Sequence, residues 1–107
     1  MIGFVFRLIP PRPSFSSDMS EGERATMMEH IAYWSALAEE GNVLAFGPVD
    51  DPSGAYGIGF VLVGSLSEAE ELRDHDPAIE SLYGFSTEIA PMRRLVTPVE
   101  TYDSTPR

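Results

Sequence analysis

The chain has two histidines and no cysteine, so proton transfer near neutral pH depends on very few side chains. His30 stands in the segment "EHIAYW" (29–34), within a stretch that has the periodicity of an amphipathic helix. Histidine is the residue that ordinarily exchanges protons near neutrality and is the most frequent general acid–base catalyst. Two interpretations are open: a structural histidine at the edge of the core, bonded to a backbone carbonyl, or a proton-transfer group that lines a pocket.

Two further side chains have both a structural and a chemical interpretation. Asp76 precedes Pro77, a pattern typical of a helix N-cap followed by proline at the first helical position. Arg7 lies in an apolar strand, where it is expected to point with Val5 and Ile9. A guanidinium in a largely buried strand needs an anion, which is either a protein carboxylate such as Glu88 or a substrate carboxylate.

The composition excludes several classes of chemistry. Without cysteine there is no disulfide, thiol nucleophile or cysteine-bound zinc, and without lysine there is no Schiff base. A net charge of −10 with scattered arginines argues against nucleic acid as a partner. The histidines and carboxylates lack the spacing of a metal motif, and the glycines at 54, 57 and 59 lack the context of a dinucleotide fingerprint. We therefore expect neither a metal nor a cofactor.

The apolar stretch 1–11 contains Arg7 and ends in prolines. It is too short for a membrane span or a signal sequence, and we interpret it as a buried strand. With the absence of cysteine, this leads us to expect a cytoplasmic protein without a membrane partner.

The order of elements predicts one α+β domain over residues 1–95, followed by a loose polar tail over 96–107. The chain alternates in the order β-α-β-β-α-β, with strands predicted over 3–9, 42–49, 55–64 and 85–95. This is the ferredoxin-like pattern, in which two helices cover one face of a four-stranded antiparallel sheet. Apolar residues on both faces of the first and third strands predict that the open face pairs with a second copy in a homodimer.

Local signals place the helices. Ser20 and Glu23 have capping-box spacing, and Gly41 is placed to end the first helix. Ser67 and Glu70 have the same spacing and predict the start of the second. In the first helix the predicted core stripe is Met27, Ile31, Trp34 and Ala38, with His30 at its edge.

Two other features predict where a pocket forms. Residues 10–19 are a long loop for so small a domain, and such loops often shape binding sites. On the third strand, Gly57 and Gly59 share one face with Val61 and Val63. Two glycines on one face leave room either for close packing or for the floor of a pocket.

Three segments together, "EHIAYW", "LAFGPV" and "RDHDPAI", resemble the YCII-related family, over roughly residues 1–95. Its members are small dimeric α+β-barrel proteins of ferredoxin-like fold. The resemblance implies a site in which His30 pairs with Asp76, while Gly47 and Pro48 shape the pocket. One oxygen of Asp76 would then cap the helical turn and the other would face the imidazole.

Our leading hypothesis from the sequence is a cofactor-independent isomerase or lyase that acts on a small carbonyl compound or unsaturated acid. His30 would transfer the proton, Asp76 would orient the imidazole of His30, and Arg7 would hold a carboxylate of the substrate. Tyr33 and Trp34 either wall the pocket or belong to the core and its rim. The alternative is a non-catalytic dimeric module that binds a small molecule or regulates a partner through the same cleft.

Overall fold

A computed structural model describes residues 1–104 of the chain. Within this range six strands and four helices follow one another in the order β1 (Ile2–Ile9), α1 (Phe15–Asp18), α2 (Glu21–Glu39), β2 (Val43–Val49), β3 (Tyr56–Val63), α3 (Leu66–Asp74), α4 (Pro77–Glu80), β4 (Ser86–Pro91), β5 (Arg94–Val96) and β6 (Thr101–Asp103). Among these residues no helix has both the length and the apolar character needed to cross a lipid bilayer.

The main sheet has four antiparallel strands in the order β2-β3-β1-β4, which confirms the predicted ferredoxin-like fold. Register places Phe4 opposite Val61 and Phe6 opposite Gly59, so these residues share the face that the helices cover. The buried core lies between this face and the two long helices; its members are Phe4, Phe6, Trp34, Val43, Val61, Val63 and Ala69.

Helix α2 begins as the sequence predicts, but it buries a different face. The Ser20 side chain accepts from the Glu23 backbone N–H, and the Glu23 carboxylate accepts from the Ser20 N–H, so the capping box is confirmed. Of the predicted core stripe only Trp34 is buried in the core, whereas Ile31 and Ala38 are exposed and Met27 is half-buried. The buried residues of the helix are Glu23, Thr26, His30 and Trp34, because polar side chains of this face find partners on distant segments.

The start of α3 is also corrected by the structure. Its N-cap is Ser65, whose hydroxyl accepts from the Glu68 N–H at 3.2 Å, whereas the sequence pattern predicted Ser67. Both serines precede a glutamate by three residues, and the end of β3 at Val63 selects the earlier one. Asp76 caps α4 with Pro77 at its first position, as predicted, and its Oδ1 accepts from the Ala78 N–H at 2.9 Å.

The C-terminal segment is more ordered than a loose tail. The predicted fourth strand over 85–95 ends at Pro91, and a separate hairpin pairs β5 with β6. Leu95 is buried against Gly3, where an added Cβ would lie 2.8 Å from the Leu95 Cβ. This contact joins residues 92 positions apart, which no local pattern reveals. The last three residues of the predicted tail, 105–107, lie outside the described residues.

Candidate active site

A cavity of about 190 Å³ opens between the covered face of the sheet and the middle of α2. Its wall includes His30, Trp34 and Asp76, and its floor includes Gly57 and Gly59 of β3. These two glycines add no side chain of their own where the cavity meets the sheet, and side chains of Trp34 and Leu8 lie beside them. Both interpretations of these glycines apply. They belong to the lining of the cavity, and Gly59 also permits close packing, since an added Cβ would lie 2.5 Å from the Trp34 ring.

At the inner wall, His30 and Asp76 lie in direct contact. The Nδ1 atom of His30 is 2.8 Å from Oδ1 and 2.9 Å from Oδ2 of Asp76. The Asp76 side chain is 2% exposed and that of His30 is 11% exposed. The two residues come from α2 and from the cap of α4, 46 positions apart, so the packing of these two helices creates the pair.

The Asp76 carboxylate accepts two further hydrogen bonds. The Trp34 indole Nε1–H donates to Oδ2 at 2.8 Å, and the Ala78 backbone N–H donates to Oδ1 at 2.9 Å. A carboxylate surrounded by N–H donors acts only as an acceptor. Nδ1 of His30 therefore carries the hydrogen and donates it, and in the neutral imidazole Nε2 holds the free lone pair.

The Nε2 atom of His30 has no hydrogen-bond partner among residues 1–104, yet it is not among their buried unsatisfied atoms. It therefore retains accessible surface, and since His30 lines the cavity, a molecule inside can reach it. A lone pair of this kind, backed by a carboxylate on the opposite ring nitrogen, is the arrangement of a general base.

The loop 10–19, which we call the lid, covers one side of the cavity. It is not wholly irregular as predicted, since α1 lies within it, and it contributes Pro10, Phe15, Ser16 and Met19 to the cavity wall. The Phe15 ring packs edge-to-face on Phe85, with ring centroids 5.1 Å apart. The expectation that this loop shapes a binding site is consistent with these contacts.

Arg12 of the lid is hydrogen-bonded to Glu23 of α2. Its two terminal nitrogens each donate to one oxygen of Glu23 at 2.8 Å, and its Nε donates to Asp18 Oδ1 at 2.7 Å. Hydrogen bonds from Arg12, followed by one from the Ser20 backbone, lower the pKa of Glu23 to about 2. The pair is bidentate, the strongest geometry for arginine and a carboxylate.

Gly47 and Pro48 both line the cavity from β2, where the resemblance places them. Trp34 lines it as well and is at the same time a member of the core, so both interpretations of this residue apply.

Arg7 and Tyr33 do not line the cavity. Arg7 points to the open face of the sheet, as its strand position predicts, and lies 3.8 Å from Glu88 and over the Tyr56 ring. A protein carboxylate therefore lies within ion-pair distance of Arg7, and the structure does not bring Arg7 into the cavity where it was expected to hold a substrate carboxylate. Tyr33 faces α3, where its hydroxyl donates to the Leu72 carbonyl at 2.7 Å. Burial, with smaller effects from the charges of Asp76 and Glu80, raises the pKa of Tyr33 to about 12.

A family comparison identifies the domain that contains this cavity. The model of the YCII-related domain matches residues 4–93. The chain belongs to the YCII-related family. In this YCII-related protein the match covers every element that lines the cavity, from β1 to β4. The comparison with curated proteins returned no match. In the described part of the YCII-related chain, no three histidine, aspartate or glutamate side chains converge as metal ligands do.

The roles of several residues of the site are not evident from the sequence. Trp34 was expected to be a core or wall residue, yet it also donates to Asp76. Its position four residues after His30 was a usable signal, because side chains at this spacing lie on one helix face and can share a partner. Arg12 and Phe85 carried no comparable signal, since their partners Glu23 and Phe15 are distant in sequence.

Proposed function

We propose that the protein is a cofactor-independent isomerase or lyase that moves a proton on a small carbonyl compound or unsaturated acid. His30 is the proposed acid–base catalyst and Asp76 its positioning residue. The single observation that carries the proposal is the accessible Nε2 of an imidazole whose Nδ1 is held by a buried carboxylate at 2.8 Å.

In the proposed step, Nε2 removes a proton from the carbon α or γ to a carbonyl group. The electron pair of the C–H bond forms a C=C bond, and the carbonyl π electrons move to its oxygen to give an enolate. In an isomerase the imidazolium returns the proton to another carbon. In a lyase a leaving group departs from the β carbon with its bonding electrons as the carbonyl re-forms. Asp76 stabilises the imidazolium in both cases.

The surroundings of the pair support proton transfer. The cavity wall is mostly hydrocarbon, and surroundings of low dielectric constant strengthen the attraction between the imidazolium and Asp76. A positioned acid–base group contributes typically 10²–10⁴-fold to rate.

The test is solvent-deuterium exchange. The protein is incubated in D₂O with a panel of small ketones, enones and unsaturated acids, and deuterium incorporation is followed by NMR. We expect at least one compound to exchange, and His30→Ala to lower the rate by about 10²–10⁴-fold. His75→Ala is the matched control, because His75 is exposed and bonded to the Glu71 carbonyl.

Two outcomes would contradict the proposal. One is exchange that survives in His30→Ala at the native rate. The other is a panel in which compounds bind equally well to the native protein and to His30→Ala, while none exchanges. The second outcome favours the non-catalytic binding module.

We also propose that the protein forms a homodimer through the open face of its sheet. This face carries half-buried apolar side chains, among them Val5, Ile58 and Phe60, and an apolar sheet face ordinarily requires a cover. Phe60→Glu is expected to yield monomers in light scattering, whereas Met28→Glu, at a 70% exposed position of α2, should leave the mass unchanged. A monomeric native protein would refute this proposal.

A further inference from the structure

We infer that the ligand of the His30 cavity is an uncharged, planar compound of about one six-membered ring, and that carboxylates are disfavoured. The inference narrows the proposed function and depends on it only in taking this cavity as the ligand site. Three properties of the cavity lead to it: the charge of its wall, its aromatic lining and its volume.

The wall offers no cation to a carboxylate. No arginine lies among the described residues that line the cavity, and the chain contains no lysine. Besides His30 and Asp76, the polar residues that line the cavity are the neutral Ser16, Tyr56 and Thr87. An ionised group moved from water into such surroundings without a partner loses hydration that nothing replaces.

Arg7 and Arg12 are close in sequence to residues that line the cavity, but both contact carboxylates of the protein. Arg12 makes four hydrogen bonds, two to Glu23, one to the Asp18 carboxylate and one to the Asp18 carbonyl. Arg7 lies on the other face of the sheet beside Glu88. Neither guanidinium is free to meet a ligand carboxylate at Nε2.

The fixed charge inside the site is negative. Asp76 lies directly behind the imidazole, so a neutral His30 leaves the pair with one negative charge, and a protonated His30 is already balanced by Asp76. A ligand carboxylate near Nε2 therefore meets either net repulsion or a cation that is shared with a closer anion. The net charge of −10 on the chain adds long-range repulsion of anions.

The remaining lining suits a flat, apolar molecule. Besides Tyr56, whose ring contacts Arg7, five aromatic residues line the cavity: Phe6, Phe15, Trp34, Phe46 and Phe85. Gly57 and Gly59 add no side chain of their own to the sheet side of the cavity, and the Trp34 ring lies against the strand at Gly59, within 2.5 Å of where a Cβ would be. The volume of about 190 Å³ is slightly larger than an apolar cavity of ~150 Å³ that holds benzene, which leaves room for one small polar substituent directed at Nε2.

The test compares benzamide with benzoate, which have the same shape and differ in charge. Trp34 is the only tryptophan of the chain and lies in the cavity wall, so its fluorescence reports occupancy directly. At neutral pH we expect benzamide to bind at least ~10-fold more tightly than benzoate.

A charge-installing variant tests the cause. Ile31 lines the cavity but is 52% exposed, so a longer side chain there is tolerated by the core. Ile31→Arg is expected to raise benzoate affinity about fivefold or more, because it supplies the missing cation. Ile31→Gln, which is polar but neutral, should leave the benzamide-to-benzoate ratio near that of the native protein.

The inference is overturned if benzoate binds the native protein as tightly as benzamide, if neither compound changes the fluorescence, or if Ile31→Arg and Ile31→Gln alter benzoate binding equally. These outcomes are separate from failure of the proposed function, which is measured as deuterium exchange. Tight benzamide binding without any deuterium exchange would support the inferred ligand class and contradict the proposed catalysis. Deuterium exchange on unsaturated acids that bind more tightly than neutral ketones would support the catalysis and contradict the ligand class.

Discussion

Trp34 and His30 donate to the same oxygen of Asp76, at 2.8 and 2.9 Å respectively. The two donors lie one helical turn apart on α2, so a single carboxylate from the cap of α4 holds both rings. Trp34 thereby acts as a positioning residue for the carboxylate, while its ring forms the cavity wall beside the imidazole.

The first prediction separates the two roles of Asp76. Asn caps helices about as well as Asp, so Asp76→Asn should keep α4, and a single amide oxygen must then serve three N–H donors. We expect His30 to turn to the Nε2–H tautomer, which removes the general base, and exchange to fall by about 10²–10⁴-fold. A donor left without a partner costs about 1–3 kcal/mol of folding stability.

Nitrogen NMR of the imidazole, urea unfolding and the exchange assay check these outcomes together. A variant that keeps the native tautomer and full exchange would mean that Asp76 serves α4 alone. Ser65→Asn is a suitable control, since it changes the cap of α3 at a distance from the cavity.

The second prediction concerns the contact between β3 and Trp34. In Gly59→Ala the new Cβ would lie 2.5 Å from Cζ3 of Trp34, and such overpacking costs typically ~1–3 kcal/mol. In Gly47→Ala the Cβ meets nothing within 4 Å, so this variant should be as stable as the native protein or slightly more so. Urea unfolding followed by circular dichroism measures both, and equal stability of the two variants would contradict the packing described.

The third prediction is a pH dependence at Glu23, whose folded pKa of about 2 lies below the ordinary value of 4.5. Between these values the unfolded chain binds more protons, so the stability that Glu23 supplies is complete above about pH 4.5 and is lost as the pH falls through 2. Glu23→Gln should therefore be less stable than the native protein at pH 7, with a difference that shrinks toward pH 2.

Thermal unfolding at a series of pH values measures this difference. Glu29→Gln, which alters an exposed carboxylate on the same helix, provides the comparison and should track the native protein. A destabilisation by Glu23→Gln that is constant from pH 7 to pH 2 would count against the ionic contact with Arg12.

The fourth prediction concerns alkaline pH. The Tyr33 hydroxyl has a pKa raised from 10.0 to about 12, chiefly by burial, so the folded state holds its proton where the unfolded chain has lost it. The resulting stability is complete below pH 10 and is lost as the pH rises through 12. Tyr33→Phe should remove a late step from the tyrosinate absorbance titration, whereas Tyr83→Phe, at a 45% exposed position, should retain it. An unchanged titration in Tyr33→Phe would contradict the assignment.

The sequence predicted the features that depend on neighbouring residues. The capping box at Ser20, the cap at Asp76 with Pro77, and the alternation that turns Arg7 away from the helices are all confirmed. Each rests on a spacing of a few positions that backbone geometry converts directly into structure. The His30–Asp76 contact was reached by resemblance to the family, because nothing local to either residue links α2 to α4.

The errors arose where distant contacts decide the outcome. Apolar periodicity assigned Ile31 to the core, but Ile31 is exposed at the cavity and the buried positions of α2 include Glu23 and His30. Polar side chains are buried when partners satisfy them, and the partners Arg12 and Asp76 come from other segments. The hairpin that contains Leu95 also depends on a contact distant in sequence, because Leu95 packs against Gly3 near the other end of the chain.

Glu23 Oε1 accepts from the Ser20 backbone and from Arg12 at once, at 2.9 and 2.8 Å. Any movement of residues 10–19 away from the cavity thus withdraws a partner from the oxygen that completes the first turn of α2. If a molecule enters by displacing these residues, we expect that helix end to fray at the same time, and an occupied cavity to slow amide hydrogen exchange in residues 21–24. Acid and concentrated salt weaken the guanidinium contact. Both should therefore favour displacement of residues 10–19 together with fraying of the first turn of α2.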